Sequence, residues 1–338
     1  MEIVRTPEKR FENLKDYPFE PHYVDIAAGD GTQLRTHYVD EGEGETILCL
    51  HGQPSWSYLY RKMIPTLVQA GYRVIAPDLV GFGKSDKPVE RSDYTYDNHV
   101  LWLTNLIRAL DLQNVTLVCQ DWGSLIGLRI VGENPDIFAR VFLGNGGLPD
   151  GKTVPDEMAE GLRKLLAETP VLTLKEMHKK LVGPTGDRPN FMYWVRHAAD
   201  HPDFDPAEVM AHHLNHCDEE EFRAWSAPFP SETYMAGARQ FPSLVPIIPD
   251  DPAIPANREA WKVLERFEKP FLTAFADSDP VSRDAEKRFI KSVPGAKNQN
   301  HTLVKGAGHF LQDDAGDELS RLVIDFIKVN PVQSDSGN

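Results

Sequence analysis

Short apolar runs recur along the first half of the chain, at 22–26, 34–39, 46–50, 73–77, 115–119 and 140–143. Runs of this length, rich in Val, Ile and Leu and bounded by polar or turn-forming residues, predict β-strands. Helical periodicity fills several of the gaps. Residues 65–70 read as the end of one helix. Over 97–110, Trp102, Leu103, Leu106, Ile107 and Leu110 fall on one face, the signature of a helix packed against a core. A third helical pattern, 125–131, follows the run at 115–119 after a tight turn. Strands that alternate with helices predict a mostly parallel sheet covered on both faces. The first two runs read as an antiparallel hairpin at its edge.

The rhythm breaks after Gly144-Asn145-Gly146-Gly147. From 149 to about 230 the pattern is helical and polar, with no clear strand. A proline-rich stretch at 242–255 reads as an extended loop. Strand patterns resume at 270–276 and 301–304, and a closing helix covers 317–329. There is no internal repeat. The simplest organisation is an α/β core interrupted by a helical cap: core at 1–148, cap at 149–235, core again at 236–338.

Composition narrows the functional classes. With 338 residues, 41% hydrophobic and 26% charged, the chain suits a folded core with an inserted layer. A net charge of −15 argues against nucleic acid and anionic membranes as partners. Three cysteines, Cys49, Cys119 and Cys217, do not build a disulfide framework. The charged segment 1–15 lacks the apolar centre of a signal peptide, and no run has bilayer length. A cytoplasmic enzyme is expected.

The candidate chemistry centres on Cys119-Gln120-Asp121-Trp122-Gly123, between the strand at 115–119 and the helix pattern at 125–131. Small residues flanking a strand-to-helix turn are the mark of a nucleophile elbow. Its apex here is Asp121. A carboxylate is already ionised at neutral pH and can attack carbon without a base. Displacement at a saturated carbon therefore fits better than acyl transfer. Other polar segments also follow core strands, where open α/β sheets place their sites: His51-Gly52-Gln53-Pro54, Asp277-Ser278-Asp279-Pro280 and Gly306-Ala307-Gly308-His309-Phe310. The chain order of nucleophile, acid and histidine is that of the α/β-hydrolase fold.

These segments resemble a known family. His51-Gly52-Gln53-Pro54-Ser55-Trp56, Gln120-Asp121-Trp122-Gly123 and Ala307-Gly308-His309-Phe310 look like motifs of the haloalkane dehalogenases. Phe191-Met192-Tyr193-Trp194, Ala227-Pro228-Phe229-Pro230 and Tyr234-Met235-Ala236-Gly237 resemble the cap of the subfamily whose acid follows the strand after the cap. The likeness spans about 21–327 and is poorest over 152–188. It implies Asp121 as nucleophile, His309 as general base and Asp279 as the acid orienting it. It implies Trp122 and Trp194 as halide ligands, and the backbone N–H groups of Gln53 and Trp122 as an oxyanion hole. The Gln53–Pro54 bond is expected to be cis. Phe191 and Val281 are read as substrate-pocket residues. The expected partners are a small halogenated alkane, water and a halide ion, with no cofactor and no metal.

Other readings of the same residues carry different expectations. An epoxide hydrolase would use the same Asp, His and acid, with cap tyrosines such as Tyr193 and Tyr234 protonating the ring oxygen. Two donor-only indoles suit a departing halide better than an alkoxide. A haloacid dehalogenase would need arginines just after the nucleophile, where Trp122 and Leu125 stand. Ser124 lacks the flanking glycines of a serine nucleophile. A non-catalytic binding protein would have no use for a water-activating histidine. Asp277 and Asp279 both flank Ser278 and either could be a turn residue; the resemblance, whose family places its acid at this distance past the strand, favours Asp279. Gly81-Phe82-Gly83-Lys84-Ser85 lacks the first glycine of a phosphate loop, which would fall at Asp78. His212, His213, His216 and Cys217 contain an i, i+4 histidine pair, read as a polar cap face in preference to a metal site.

Overall fold

The computed structural model describes residues 1–152, 154–186 and 189–332. Its strands are β1 (Ile3–Val4), β2 (His22–Ala27), β3 (Gln33–Glu41), β4 (Thr46–Leu50), β5 (Arg73–Pro77), β6 (Lys87–Pro88), β7 (Val115–Gln120), β8 (Phe138–Gly146), β9 (Phe271–Ala276) and β10 (Thr302–Val304). Its α-helices are α1 (Ile64–Gln69), α2 (Tyr96–Ala109), α3 (Asp121–Glu133), α4 (Ala159–Ala167), α5 (Leu174–Val182), α6 (Phe191–Asp200), α7 (Pro206–His213), α8 (Glu219–Ser226), α9 (Ala236–Gln240), α10 (Ile254–Leu264), α11 (Glu286–Ser292), α12 (Leu311–Asp314) and α13 (Gly316–Val329).

Eight strands form one sheet in the order β10-β9-β8-β7-β4-β5-β3-β2. The strands from β10 through β5 pair in parallel, and β3 runs against both of its neighbours. Every residue of β7 and β9 is buried. Helices on both faces explain why these strands read as continuous apolar runs, whereas the edge strand β2 carries exposed and half-buried positions. All eight runs expected from the sequence are strands of this sheet. No described helix is long and apolar enough to cross a membrane.

The stretch at 242–255 corrects the sequence reading. Its start is a tight 3-10 turn, Phe241–Leu244, and at Ile254 it enters α10, with Pro255 in the first helical turn. Proline there sacrifices no hydrogen bond, because the first N–H groups of a helix have no intrahelical partner. Helix α10 crosses α3 closely: a Cβ on Gly132 would sit 2.4 Å from that of Ala260. The Trp261 indole N–H donates to Leu148 O at 2.7 Å, and Arg129 donates to the Asn257 side chain at 3.0 Å. These bonds pin α10 to the chain leaving β8 and to α3.

Helices α4 to α8 occupy the chain between β8 and α9. Helix α5 starts with a reciprocal capping box, Thr173 with Glu176, and α8 with another, Asp218 with Glu221. The fully buried Arg61 guanidinium joins α8 and α12 by donating to Glu221 at 2.8 Å and to Asp313. A small apolar cluster of Met177, Leu181 and Tyr193 locks α5 to α6.

Candidate active site

The junction of β7 and α3 sets the site. Asp121 has φ of 49°, a left-handed conformation that a side chain with a Cβ rarely adopts. Small neighbours let the chain close around it. A Cβ on Gly123 would lie 2.2 Å from Leu50 O, and one on Gly52 would lie 2.2 Å from Asp121 Oδ1. The Ser124 hydroxyl donates to Asp121 O at 2.6 Å and accepts from Gly147 N at 2.9 Å, so Ser124 braces the turn. The carboxylate sits in the first turn of α3, where the helix dipole favours negative charge. Its Oδ1 accepts the Gln53 N–H at 2.7 Å, and the Gln53–Pro54 bond is cis. His51 holds the Gln53 loop: one ring nitrogen lies 2.9 Å from Gly52 O and the other accepts the Leu79 N–H at 2.9 Å. The turn 81–85 closes on Asp78, whose carboxylate accepts the Lys84 N–H at 2.8 Å.

His309 follows β10 and faces both carboxylates. Its Nε2 lies 3.2 Å from Asp121 Oδ2 and its Nδ1 lies 3.0 Å from Asp279 Oδ1. Asp279 is buried and otherwise bound only to its own loop: Oδ1 accepts the Val281 N–H at 2.9 Å, and Oδ2 accepts the N–H and hydroxyl of Ser282. Asp277 has a different task. It is exposed and accepts from the Ser278 hydroxyl at 3.0 Å and from Gly306 N at 2.9 Å, tying a turn. Of the two aspartates, the geometry brings Asp279 to His309.

Charge and burial act on this trio in opposite directions. Burial would lower the His309 pKa, but the Asp279 charge and the hydrogen bonds to Asp121 and Asp279 outweigh it and push the ring up to about 10. Burial would raise Asp279, but the His309 charge and the bonds from His309, Ser282 and Val281 bring it down to about 2. The two carboxylates thus favour the protonated form of the ring in the resting site.

Two buried amides supporting His309 escaped the sequence reading as site residues. Asn145, at the end of β8, donates to Gly308 O and His309 O, each at 2.9 Å, and its Oδ1 accepts Ala276 N at 2.8 Å. Gln120 Nε2 lies 3.1 Å from both His309 O and His309 Nε2. Each stands at the C-terminal end of a buried strand, beside a glycine or the elbow apex. That placement of a polar residue is the one signal the sequence offered.

Asp121 and His309 open onto a cavity of about 340 Å³ with mostly apolar walls. Trp122, Trp194, Phe191 and Val281 all line it. Phe191 and Trp194 lie one turn apart on α6 and share the face it presents to the cavity. Trp122 is seated by ring contacts with Phe241 and Tyr96, centroids 4.6 and 5.3 Å away. Trp194 packs beside His197 and Phe204. The Trp102 and Trp261 indoles donate to backbone carbonyls. Neither Trp122 nor Trp194 donates its indole N–H to any described residue. Tyr193 and Tyr234 are absent from the lining; Tyr193 is buried in the cluster with Met177 and Leu181. The cap histidines also differ from expectation. Helix α7 ends at His213, so His212 and His216 are not an i, i+4 pair on one helix. His213, expected on a polar face, lines the cavity.

An elbow aspartate, a histidine and a late acid at the C-terminal ends of parallel strands define an α/β-hydrolase, and a family profile described as alpha/beta hydrolase fold matches residues 45–316. The chain is 46% identical to a haloalkane dehalogenase of Psychrobacter cryohalolentis over 334 residues, covering 98% of this chain and 100% of the relative. It is 48% identical to haloalkane dehalogenase 1 of Mycobacterium tuberculosis over 326 residues, covering 96% and 98%. The solved structure of the tetrameric haloalkane dehalogenase DpaA from Paraglaciecola agarilytica superposes with a TM-score of 0.75 at 30% identity, covering 100% of both chains. The chain belongs to the haloalkane dehalogenase family.

Proposed function

We propose that the chain hydrolyses small haloalkanes to an alcohol, a halide ion and a proton through an ester on Asp121. Residues 149–235 serve as a cap over a core made of 1–148 and 236–338. The observation that carries the reading is the relay Asp279–His309–Asp121, open to an apolar cavity lined by Trp122 and Trp194, whose indole N–H groups have no partner among the described residues.

Asp121 Oδ1 accepts the Gln53 N–H at 2.7 Å and Oδ2 lies 3.2 Å from His309 Nε2; Oδ2, the more loosely held of the two and with a second lone pair to spare, is the attacking oxygen. It forms a bond to the halogen-bearing carbon as the carbon–halogen bond breaks, and the halide leaves with the electron pair. The departing anion needs donors without acceptor capacity, and an indole N–H on an apolar ring meets that need. Trp122 and Trp194 receive it. Losing such stabilisation of developing charge costs about 3–4 kcal/mol.

Esterification removes the charge of Asp121. His309 then loses the hydrogen bond and the charge of Asp121, both of which had raised its pKa, so the ring sheds its proton and becomes a base. It takes a proton from water while the water oxygen attacks the ester carbonyl carbon. The Gln53 and Trp122 N–H groups hold the oxyanion, Asp279 stabilises the new imidazolium, and the intermediate collapses to alcohol and free carboxylate. The residues present need no cofactor for either step.

Epoxide hydrolysis is the rival, and the placement of Tyr193 and Tyr234 off the cavity lining counts against it. Incubation with 1,2-dibromoethane or 1-bromobutane, following bromide and pH, should show bromide release with acidification. Turnover of styrene oxide without bromide release from the haloalkanes would overturn the proposal.

A further inference from the structure

The cap carries a histidine cluster that the proposed reaction does not use. His178 on α5 and His213 on α7 face each other, with His178 Nδ1 3.3 Å from His213 Nε2. His213 Nδ1 lies 2.8 Å from Val209 O, so it donates there and its Nε2 lone pair accepts the His178 Nδ1–H. A histidine that ligates a metal is commonly oriented this way, by a backbone carbonyl on its other nitrogen. Zinc–nitrogen bonds are about 2.0–2.1 Å long, and two tetrahedral ligands on such bonds stand about 3.3 Å apart. The exposed His212 ring lies 4.5 Å from His178 and 5.5 Å from His213, centroid to centroid. Its nitrogens do not close a three-ligand group with theirs, so the facing pair supplies the protein ligands.

We propose that His178 and His213 form a binding site for a borderline transition-metal ion such as Zn²⁺, with water completing the coordination. The proton on His178 Nδ1 moves to Nε2 of the same ring, which leaves the two facing nitrogens each with a lone pair for the ion. A second cluster, His216, Asp218 and Glu221, brings ligand atoms within 4.8 Å of one another. Its carboxylates are already engaged: Asp218 pairs with Lys15, and Glu221 pairs with Arg61 at 2.8 Å. The facing nitrogens of His178 and His213 pair with no cation among the described residues.

The site also has a mechanical consequence. Leu181 on α5 and His213 on α7 both line the cavity. An ion bridging the two helices fixes that wall and slows any opening of the cap.

The test uses the full chain without a polyhistidine tag, stripped of metal with a chelator and titrated with Zn²⁺ by calorimetry at neutral pH, with Co²⁺ absorption as a second reading. One ion should bind per chain. His178→Ala should weaken binding at least about tenfold, since even outer partners of a ligand are worth 10–100-fold. His216→Ala should leave binding unchanged. Saturating Zn²⁺ should slow bromide release by the parent chain, with recovery on adding EDTA, and should leave His178→Ala unaffected. Absence of binding, equal binding by His178→Ala, or loss of binding in His216→Ala would each overturn the proposal. The heat and the Co²⁺ spectrum do not depend on the dehalogenation reading, so the two claims fail separately.

Discussion

Replacing Asp279 by Asn separates the two chemical steps. The carboxylate is buried, with Oδ1 3.0 Å from His309 Nδ1. Taking the charges as about 4 Å apart and an effective dielectric of about 20, the carboxylate stabilises an imidazolium by about 4 kcal/mol, equivalent to about a thousandfold in rate. Ester hydrolysis generates that imidazolium; the displacement does not. Hydrolysis should therefore slow by roughly a thousandfold, while halide displacement changes by no more than a few-fold. The variant should also be less stable. Oδ1 receives donors from Val281 and His309, and Oδ2 receives two from Ser282. Whichever oxygen becomes an NH2 group then meets donors, and a buried donor without an acceptor costs about 1–3 kcal/mol. The assay is rapid-mix bromide release with intact-protein mass measurement. The expected trace is a burst near one bromide per enzyme, slow turnover afterwards, and an alkyl adduct on the protein. Multiple turnover within tenfold of the parent rate by a folded variant would refute the reasoning, as would loss of the burst along with turnover.

Further predictions address other parts of the site. His309→Gln should release about one bromide per enzyme and then stop, with the ester retained on Asp121; steady turnover would remove His309 from the base role. Trp194→Phe keeps the apolar ring and deletes the N–H, so halide affinity measured by fluorescence quenching should drop while the melting temperature holds; unchanged affinity would take Trp194 out of the halide site. The His309 pKa is raised on folding, from 6.5 to about 10, so its stabilising share is full below pH about 6.5 and is lost as pH rises through about 10. Chemical denaturation at stepped pH should show that alkaline decline, and His309→Gln should flatten it.

The parallel sheet was legible because strands covered on both faces must be apolar throughout, as the wholly buried β7 and β9 show. The elbow was legible because Gly52 and Gly123 stand where backbone and carboxylate approach too closely for a Cβ. Helix α10 was missed because prolines read as breakers, although Pro255 sits in the first turn, where it costs nothing. The family resemblance favoured Asp279 over Asp277, which the residues alone left open; the loop hydrogen bonds that turn one inward and the other outward are tertiary facts. The same holds for Asn145 and Gln120, whose importance lies in reaching a histidine far along the chain. The pairing of His178 with His213 crosses two helices and carries no periodic signature.

The covalent ester on Asp121 is the central claim, and a single turnover in water enriched in the heavy oxygen isotope, with enzyme in excess, tests it most directly. If Asp121 attacks carbon, the first alcohol carries ordinary oxygen from the carboxylate, and the label appears in the peptide containing Asp121. A labelled alcohol with an unlabelled Asp121 would mean that water displaces the halide itself, and the account would be wrong.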